Sequence, residues 1–253
     1  MIEAIKEIET PHGRMDAFVT HPEEGGPFPA VLVLMDIWGL REELFDIARK
    51  VAVAGYYCAV PNFYYRQGPL RFAVRDAQGR MKSFDAISDD ERTDIRKQMA
   101  LTTDEGAIAD FRSILDFLHG EPVSAGPKGL IGYCLGGRYA LHAAVNYPEE
   151  FQATASLHGT RLVSDAPLSP HKFVGRCRGE IYCGFAEHDD LAPPSTRQAL
   201  LEAFRANPQA RYRGRVHAGT LHGYALPDRD IFVKQAFNRD WETIFSMFRR
   251  ILG

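Results

Sequence analysis

The sequence predicts a single α/β domain over residues 1–253, with a mainly parallel central sheet and helices on both of its faces. Short apolar runs alternate with segments of helical spacing, which is typical of repeated strand–helix–strand units. The run at residues 30–35 contains no polar residue, as expected of a strand that is buried on both faces. A chain of 253 residues is an ordinary length for one undivided α/β domain.

Composition and charge exclude several classes of partner. The chain is 45% hydrophobic and 25% charged with a net charge of -3, which gives no electrostatic basis for binding nucleic acid or an anionic membrane. Its longest apolar run, at 30–35, is too short to span a bilayer, and the charged N-terminal segment does not resemble a signal peptide. Four cysteines without paired or metal-type spacing indicate reduced thiols in a cytoplasmic protein. The sequence does not determine the oligomeric state, and a homodimer is possible.

The first elements follow from alternation and turn residues. Residues 2–9 and 15–20 alternate apolar and polar around Pro11-His12-Gly13, which predicts a β-hairpin. The buried strand at 30–35 comes next. A helix is predicted over Glu42–Ala54, and a short strand over Tyr56–Val60.

Residues 66–103 interrupt this alternation. They are polar and charged, contain Gly68, Pro69 and Gly79, and show weak periodicity. Because they contain too few apolar residues for a core of their own, we predict an insertion or lid rather than a second domain.

The second half of the chain resumes the alternation. The predicted helices are 104–119, a segment that ends at Tyr147, 195–206, and a C-terminal helix that contains Trp241. The predicted strands are a segment beginning at Lys128, 153–157, 180–185 and about 212–217. The C-terminal helix places Trp241, Ile244, Phe245, Phe248 and Ile251 on one stripe.

The segment Gly132-x-Cys134-x-Gly136 matches the nucleophile elbow of α/β-hydrolases, with cysteine where serine is usual. Bulky side chains beside the nucleophile would collide with the neighbouring backbone, which explains the glycines. Cys134 would lie at a strand end beneath a helix N-terminus, where partial positive charge favours the thiolate. On this motif alone, a glycine-rich turn with a buried structural cysteine stays an alternative.

Other polar residues follow the predicted strands, where ligands bind in α/β sheets. Asp189 and Asp190 follow one strand and His222 follows the last, so the order is nucleophile, acid, histidine. A neutral His222 can take the Cys134 proton, and either aspartate could orient it. His158 and His188 also follow strands, but their spacing does not favour a metal site, and we expect no metal or cofactor.

From residue 30 to the last helix the chain resembles the dienelactone hydrolase family, a cysteine-dependent branch of the α/β-hydrolases. The resemblance is carried by the segments Gly132-Tyr133-Cys134-Leu135-Gly136-Gly137, His188-Asp189-Asp190-Leu191-Ala192-Pro193, His222-Gly223-Tyr224 and Asp36-Ile37-Trp38-Gly39. It implies that Cys134 is the nucleophile, Asp189 the acid and His222 the base. It also implies an oxyanion hole from the N–H groups of Leu135 and Ile37, and an acid at Asp36 that interacts with the resting thiol.

Two departures from the family pattern concern the thiol and the substrate. The family has glutamate where this chain has Asp36, and its dienelactone-cleaving members have arginine where this chain has Leu226. That arginine binds the substrate carboxylate, so a charged substrate would need another cation. The possible replacements are Arg66, Arg71, Arg92 and Arg96.

The resulting expectation is a cofactor-independent hydrolase of small esters or lactones that acts through an acyl-enzyme. Three alternatives remain: a general carboxylesterase or thioesterase, a non-catalytic binding protein with the same fold, and a redox-sensing thiol at Cys134.

Overall fold

A computed structural model of the chain describes residues 1–67, 72 and 74–253. The described residues form an eight-stranded sheet with the strand order β1-β2-β4-β3-β5-β6-β7-β8. The strands are β1 (Ile2–Thr10), β2 (Gly13–His21), β3 (Ala30–Leu34), β4 (Tyr57–Pro61), β5 (Lys128–Tyr133), β6 (Phe151–Leu157), β7 (Gly179–His188) and β8 (Ala210–Leu221).

The sheet is mainly parallel, as predicted. β1 and β2 form the expected antiparallel hairpin, and β2 pairs antiparallel with β4. From β4 through β3 to β8, every neighbouring pair of strands is parallel. All residues of β3, β4 and β5 are buried, which explains their nearly continuous apolar sequences. β5 therefore lies in the middle of the sheet, and its carboxyl end faces the region where ligands bind in such folds.

Helices cover both faces of the sheet. The α-helices are α1 (Glu42–Val53), α2 (Asp89–Leu101), α3 (Asp104–Leu118), α4 (Leu135–Asn146), α5 (Pro194–Arg205) and α6 (Lys234–Ile251), and short 3₁₀ helices span Tyr65–Gln67, Phe84–Ala86 and Pro170–Arg176. On β5, a Cβ at Gly129 would meet Phe248 of α6, whereas one at Gly132 would overlap the α4 backbone. Since positions three apart on a strand point to opposite faces, α6 and α4 lie on opposite sides of the sheet.

None of the helices within the described residues is both long and apolar enough to cross a membrane. The apolar stripe of α6 lies as predicted, with Trp241, Ile244 and Phe248 buried against the sheet and Phe245 and Ile251 partly buried. The amphipathic pattern therefore predicted the face of this helix correctly.

Two elements differ from the sequence-based expectation. The helix α2 lies inside the segment 66–103 and was not predicted, because Ile95 is its one buried residue and no apolar stripe is visible. Ser88 and Glu91 form a capping box at its start, so the signal for the helix was its cap rather than its face. Strand β8 is longer than the predicted 212–217, because its buried and exposed residues do not alternate regularly and several of the exposed ones are apolar or glycine.

The described part of the segment 66–103 packs near the carboxyl end of the sheet. Met81 and Ile87 form a small apolar cluster with Ile95 of α2 and with Trp38, which follows β3. The Met81 N–H donates to the Asp228 carbonyl at 2.7 Å, so this segment also pairs with the chain beyond β8. Gly68 and Pro69 lie outside the described residues. That residues 66–103 act as an insertion or lid stays a prediction.

Candidate active site

Cys134 lies on the sharp turn between β5 and α4, with φ of 53° and ψ of -111°. A positive φ is uncommon outside glycine and is characteristic of the strained elbow turn. A Cβ at Gly132 would overlap the carbonyl of Gly136. A Cβ at Gly136 would lie 2.6 Å from the carbonyl oxygen of Met35. Both positions therefore require glycine, as the sequence motif predicted.

The backbone of Cys134 is fixed and its side chain is 5% exposed. Its N–H donates to the Leu157 carbonyl of β6 at 3.0 Å, and its carbonyl accepts from the Gly137 N–H at 3.1 Å. Cys134 occupies the N-cap position of α4. The first N–H groups of a helix lack intrahelical partners and carry partial positive charge, so this position stabilises negative charge on the sulfur.

His222 and Asp189 are in direct contact. His222 Nδ1 lies 2.8 Å from Asp189 Oδ2, and Asp189 is buried whereas Asp190 is exposed. The contact arises because β7 and β8 are parallel neighbours that end with His188 opposite Leu221, one residue before Asp189 and His222 respectively. The sequence left two aspartates open, and the structure brings Asp189 to the histidine.

The pKa of His222 is raised to about 10. Burial by itself disfavours the protonated ring, but attraction from Cys134 and the hydrogen bond to Asp189 outweigh it. Among the described residues, His222 Nε2 has no well-aligned hydrogen-bond partner, so we attribute the effect of Cys134 mainly to charge attraction. The neighbouring Cys134 and the carboxylate of Asp189 thus favour the protonated form of His222.

The two proposed oxyanion-hole residues lie at neighbouring strand ends. Leu135 is the first residue of α4, and Ile37 follows β3, which pairs directly with β5. The elbow packs tightly on this segment, since a Cβ at Gly136 would contact the Met35 carbonyl. The Tyr64 hydroxyl donates to the Ile37 carbonyl at 3.1 Å and restrains the segment further. The structure therefore brings Ile37 and Leu135 to the same end of the sheet as Cys134.

Asp36 is fully buried and is bound by Arg41. Arg41 donates from Nη1 to Oδ1 at 2.6 Å and from Nη2 to Oδ2 at 3.1 Å, and the Trp38 N–H donates to Oδ1 at 3.1 Å. The resemblance implied an acid that interacts with the resting thiol. The carboxylate of Asp36 is therefore paired with Arg41. An interaction of Asp36 with the Cys134 thiol stays a prediction.

A buried charge cluster beside Asp36 was missed by sequence reasoning. Arg41 also binds Asp228, with Nε 2.6 Å from Oδ2, and Arg229 Nη1 lies 3.8 Å from Asp36 Oδ2. Although burial opposes its charge, the two aspartates raise the pKa of Arg41. Two arginines and two aspartates make the cluster electrically balanced. The members of this cluster are polar residues that follow β3 and β8. Their positions after predicted strands could therefore have identified them from the sequence.

The arginines considered as replacement carboxylate ligands are engaged elsewhere. Arg66 forms a bidentate pair with the fully buried Asp110 at 2.8 and 2.9 Å. Arg92 donates to Asp89 at 2.6 Å, and Arg96 lies 5.3 Å from the centroid of the Phe84 ring. Arg71 lies outside the described residues. Leu226, at the position of the family arginine, is fully buried.

The two other strand-end histidines differ in environment. His158 is fully buried, with its ring centroid 5.0 Å from that of His222. His188 is exposed, and its Nε2 lies 3.5 Å from Glu187. Within the part of the chain that the structure describes, no group of three or more His, Cys, Asp or Glu side chains could hold a metal ion.

Several known proteins are similar to this chain over most of its length. The profile of the dienelactone hydrolase family matches residues 15–252. A carboxymethylenebutenolidase of Pseudomonas putida is 24% identical, over 83% of this chain and 80% of that protein. A relative from Methylorubrum extorquens, provisionally named a carboxymethylenebutenolidase, is 26% identical over 77% of this chain and 62% of its own length. The chain thus matches less than two thirds of that relative.

A solved structure from Klebsiella pneumoniae subsp. pneumoniae, provisionally described as a dienelactone hydrolase, has a TM-score of 0.83 at 20% identity. The similarity covers 98% of both chains. It shows that the predicted α/β-hydrolase fold is correct, and the family profile extends over nearly the whole sequence. This protein belongs to the dienelactone hydrolase family.

Proposed function

We propose that this protein hydrolyses small esters or lactones, with Cys134 as nucleophile, His222 as base and Asp189 as the acid that orients the base. The observation that carries the proposal is the state of His222. Asp189 holds its Nδ1 at 2.8 Å, and interaction with Cys134 helps to raise its pKa to about 10. The contact with Asp189 leaves Nε2 as the nitrogen that can exchange a proton with Cys134. The carboxymethylenebutenolidase name of the relatives supports lactones as a substrate class.

Acylation begins when the Cys134 thiolate donates an electron pair to the substrate carbonyl carbon. The carbonyl π electrons move to oxygen, and the N–H groups of Leu135 and Ile37 stabilise the oxyanion. A well-placed donor is typically worth about 3–4 kcal/mol in such a site. When the oxyanion collapses, the C–O bond breaks and the departing alkoxide takes the proton from His222. The products are a thioester on Cys134 and an alcohol, which stays attached to the acyl group when the substrate is a lactone.

Deacylation needs His222 in its neutral form. The thioester sulfur carries no negative charge, so the attraction that raised the pKa of His222 is lost on acylation. The neutral imidazole then takes a proton from water, and the oxygen of that water attacks the thioester carbonyl. The C–S bond breaks and the thiolate is restored beside the imidazolium. The carboxylic acid product gives its proton to solvent and leaves as its anion.

The balanced charges near the site support uncharged substrates. Arg41 is paired with Asp36 and Asp228, and Arg229 lies 3.8 Å from Asp36, so this cluster of two cations and two anions has no net charge to attract a substrate carboxylate. We therefore propose neutral lactones or aryl esters rather than a carboxylated dienelactone. A reducing cytoplasmic location belongs to the same proposal, because the nucleophile must stay a free thiol and the four cysteines are unpaired.

The test is a parallel screen of small lactones, aryl esters and thioesters with wild type, Cys134→Ala and Cys177→Ala. Cys177 is the matched control because it is a second buried thiol, and burial raises its pKa to about 12. We expect wild type and Cys177→Ala to be active and folded Cys134→Ala to lose at least about 10³-fold in kcat.

The outcomes of the screen separate the alternatives. Retained turnover in folded Cys134→Ala contradicts the mechanism. Rapid alkylation of Cys134 without turnover of any substrate supports a binding or redox-sensing protein. Turnover of esters and thioesters without lactones supports a general carboxylesterase or thioesterase.

A further inference from the structure

His158 follows β6, in a segment that contacts both the proposed nucleophile and the proposed base. The residues around it bind the Cys134 backbone: the Leu157 carbonyl accepts from the Cys134 N–H at 3.0 Å, and the Thr160 N–H donates to the Cys134 carbonyl at 3.2 Å. On the other side, the His158 ring meets the His222 ring with centroids 5.0 Å apart and planes at 73°. One short segment therefore connects the backbone of Cys134 to the ring of His222.

The backbone of His158 has an unusual conformation, with φ of 38°. Its N–H donates to the Gly184 carbonyl of β7 at 2.8 Å, which fixes this conformation. Histidine is one of the few non-glycine residues enriched at positive φ, whereas other aromatic residues are strained there. Strained backbone of this kind is retained where the surrounding structure fixes it, often at functional sites.

The contacts of His158 are made by its ring rather than by its nitrogens. The side chain is fully buried, and neither nitrogen has a hydrogen-bond partner among the described residues. A buried nitrogen without a hydrogen-bond partner lowers stability. The presence of histidine at this position is therefore explained by the packing of its ring and not by hydrogen bonds of its nitrogens. The rings of Tyr133 and Tyr224 pack against the His158 ring, with centroids 6.0 and 5.6 Å from its centroid.

The ring of His158 is neutral. Burial, and then repulsion from the positive charges of its neighbours, lower its pKa well below the ordinary value. The titratable or charged groups that face it are His222, Arg229, Arg41, Tyr133 and Tyr224. A neutral ring can pack edge-to-face against an imidazolium at this angle, whereas a second cation would repel it.

We propose that His158 is a positioning residue for His222. Its neutral aromatic ring packs against the base and restrains the imidazole with Nδ1 on Asp189 and Nε2 directed to Cys134. This proposal rests on the roles proposed above for Cys134 and His222. Under this proposal, the positive φ of residue 158 favours histidine over other aromatic residues. The role of the side chain is to pack through its ring, so it needs no hydrogen bonds from its nitrogens.

The test compares His158→Asn with His158→Phe. Asparagine tolerates positive φ but removes the ring, whereas phenylalanine keeps an aromatic ring without nitrogens. The first readout is kcat and KM on a neutral aryl ester. The second is the pH dependence of Cys134 alkylation by iodoacetamide, which reports the thiolate and requires no turnover. Thermal unfolding of each variant is the control for folding.

We expect His158→Asn to lower kcat by about 10- to 100-fold, the cost of misplacing a catalytic group by about 1 Å. KM should stay within about threefold, and the alkylation midpoint should move to higher pH by about one unit. His158→Phe should lower the thermal stability, because phenylalanine is strained at positive φ, but folded His158→Phe should stay within about threefold of wild type in both readouts. If His158→Asn does not fold, His158→Leu fills the space without an aromatic face and is expected to show the same losses.

Three results overturn the proposal. One is unchanged kcat and alkylation in the variants that lack a ring, whatever their thermal stability. Another is a loss in His158→Phe as large as in His158→Asn when the thermal stability of His158→Phe is no lower, since a ring nitrogen would then be required. The third is a large KM effect with unchanged kcat. If wild type turns over no ester, the proposed function fails, while the alkylation profiles of the same proteins still test His158.

Discussion

Asp189 Oδ2 and His222 Nδ1 lie 2.8 Å apart, although 33 positions separate the two residues in the chain. The contact places a buried carboxylate on one imidazole nitrogen and leaves the other nitrogen for Cys134. It fixes the tautomer that a base needs, because the nitrogen facing Asp189 must carry a proton. This pair distinguishes the two adjacent aspartates, which spacing in the sequence could not do.

Asp189→Asn should lower kcat on a neutral aryl ester by about 10³- to 10⁴-fold, because the amide no longer stabilises the imidazolium or its tautomer. Asp190→Asn is the matched control and should stay within about threefold of wild type, since Asp190 is exposed. Steady-state kinetics on the two folded variants measures the difference. Equal losses, or a larger loss at Asp190, contradict the assignment of the acid.

Cys134→Ala should lower the pKa of His222 from about 10, because it removes the attraction from Cys134 while burial continues to oppose the charge. An NMR titration of the imidazole in wild type and Cys134→Ala measures this shift, with His222→Gln used to assign the signal. A pKa that stays near 10 in Cys134→Ala would show that Asp189 alone holds the proton on His222.

Tyr224→Phe should reduce both stability and activity, because Tyr224 lies two residues after His222 and donates to the buried Asp240 at 2.8 Å. Tyr182→Phe is the matched control, since Tyr182 donates to the same carboxylate at 2.5 Å from strand β7. Each loss of a hydrogen bond to a charged group should cost about 1.5–3 kcal/mol in the free energy of unfolding. We expect Tyr224→Phe alone to lower kcat severalfold, and equal kcat in the two variants contradicts this anchoring role.

An uncharged lactone or aryl ester should be hydrolysed with higher kcat/KM than a carboxylated dienelactone of similar size. The reason is that Arg41 and Arg229 are already balanced by Asp36 and Asp228. We expect a difference of about tenfold, which corresponds to one lost charge-assisted contact. A preference for the charged substrate that disappears in Arg229→Gln would show that Arg229 binds the carboxylate.

Much of the fold could be predicted because burial leaves a clear pattern in the sequence. The fully buried strand β3 is continuously apolar, and the stripe of α6 repeats at helical spacing. α2 could not be found this way, because Ile95 is its one buried residue. The full length of β8 was hidden for a similar reason, since few of its residues are buried and they do not recur at every second position.

The site was partly predictable from position after strands and from the family motif. These features identified Cys134, Asp189 and His222, which the structure gathers at the carboxyl ends of β5, β7 and β8. They could not show that Asp36 is bound by Arg41, because that contact depends on how the chain turns after β3. Nor could they show that the ring of His158 meets His222, since both lie in loops of unpredicted conformation.

The most direct test of the account is the mass of the protein after rapid acid quenching during turnover of a neutral aryl ester. Thioesters survive acid, so peptide mapping can locate an acyl group. We predict an added mass equal to the acyl group of the ester on the peptide that contains Cys134, appearing before steady turnover and absent from folded Cys134→Ala. Turnover with the acyl group on another residue, or with full activity in Cys134→Ala, would contradict a cysteine-dependent acyl-enzyme mechanism.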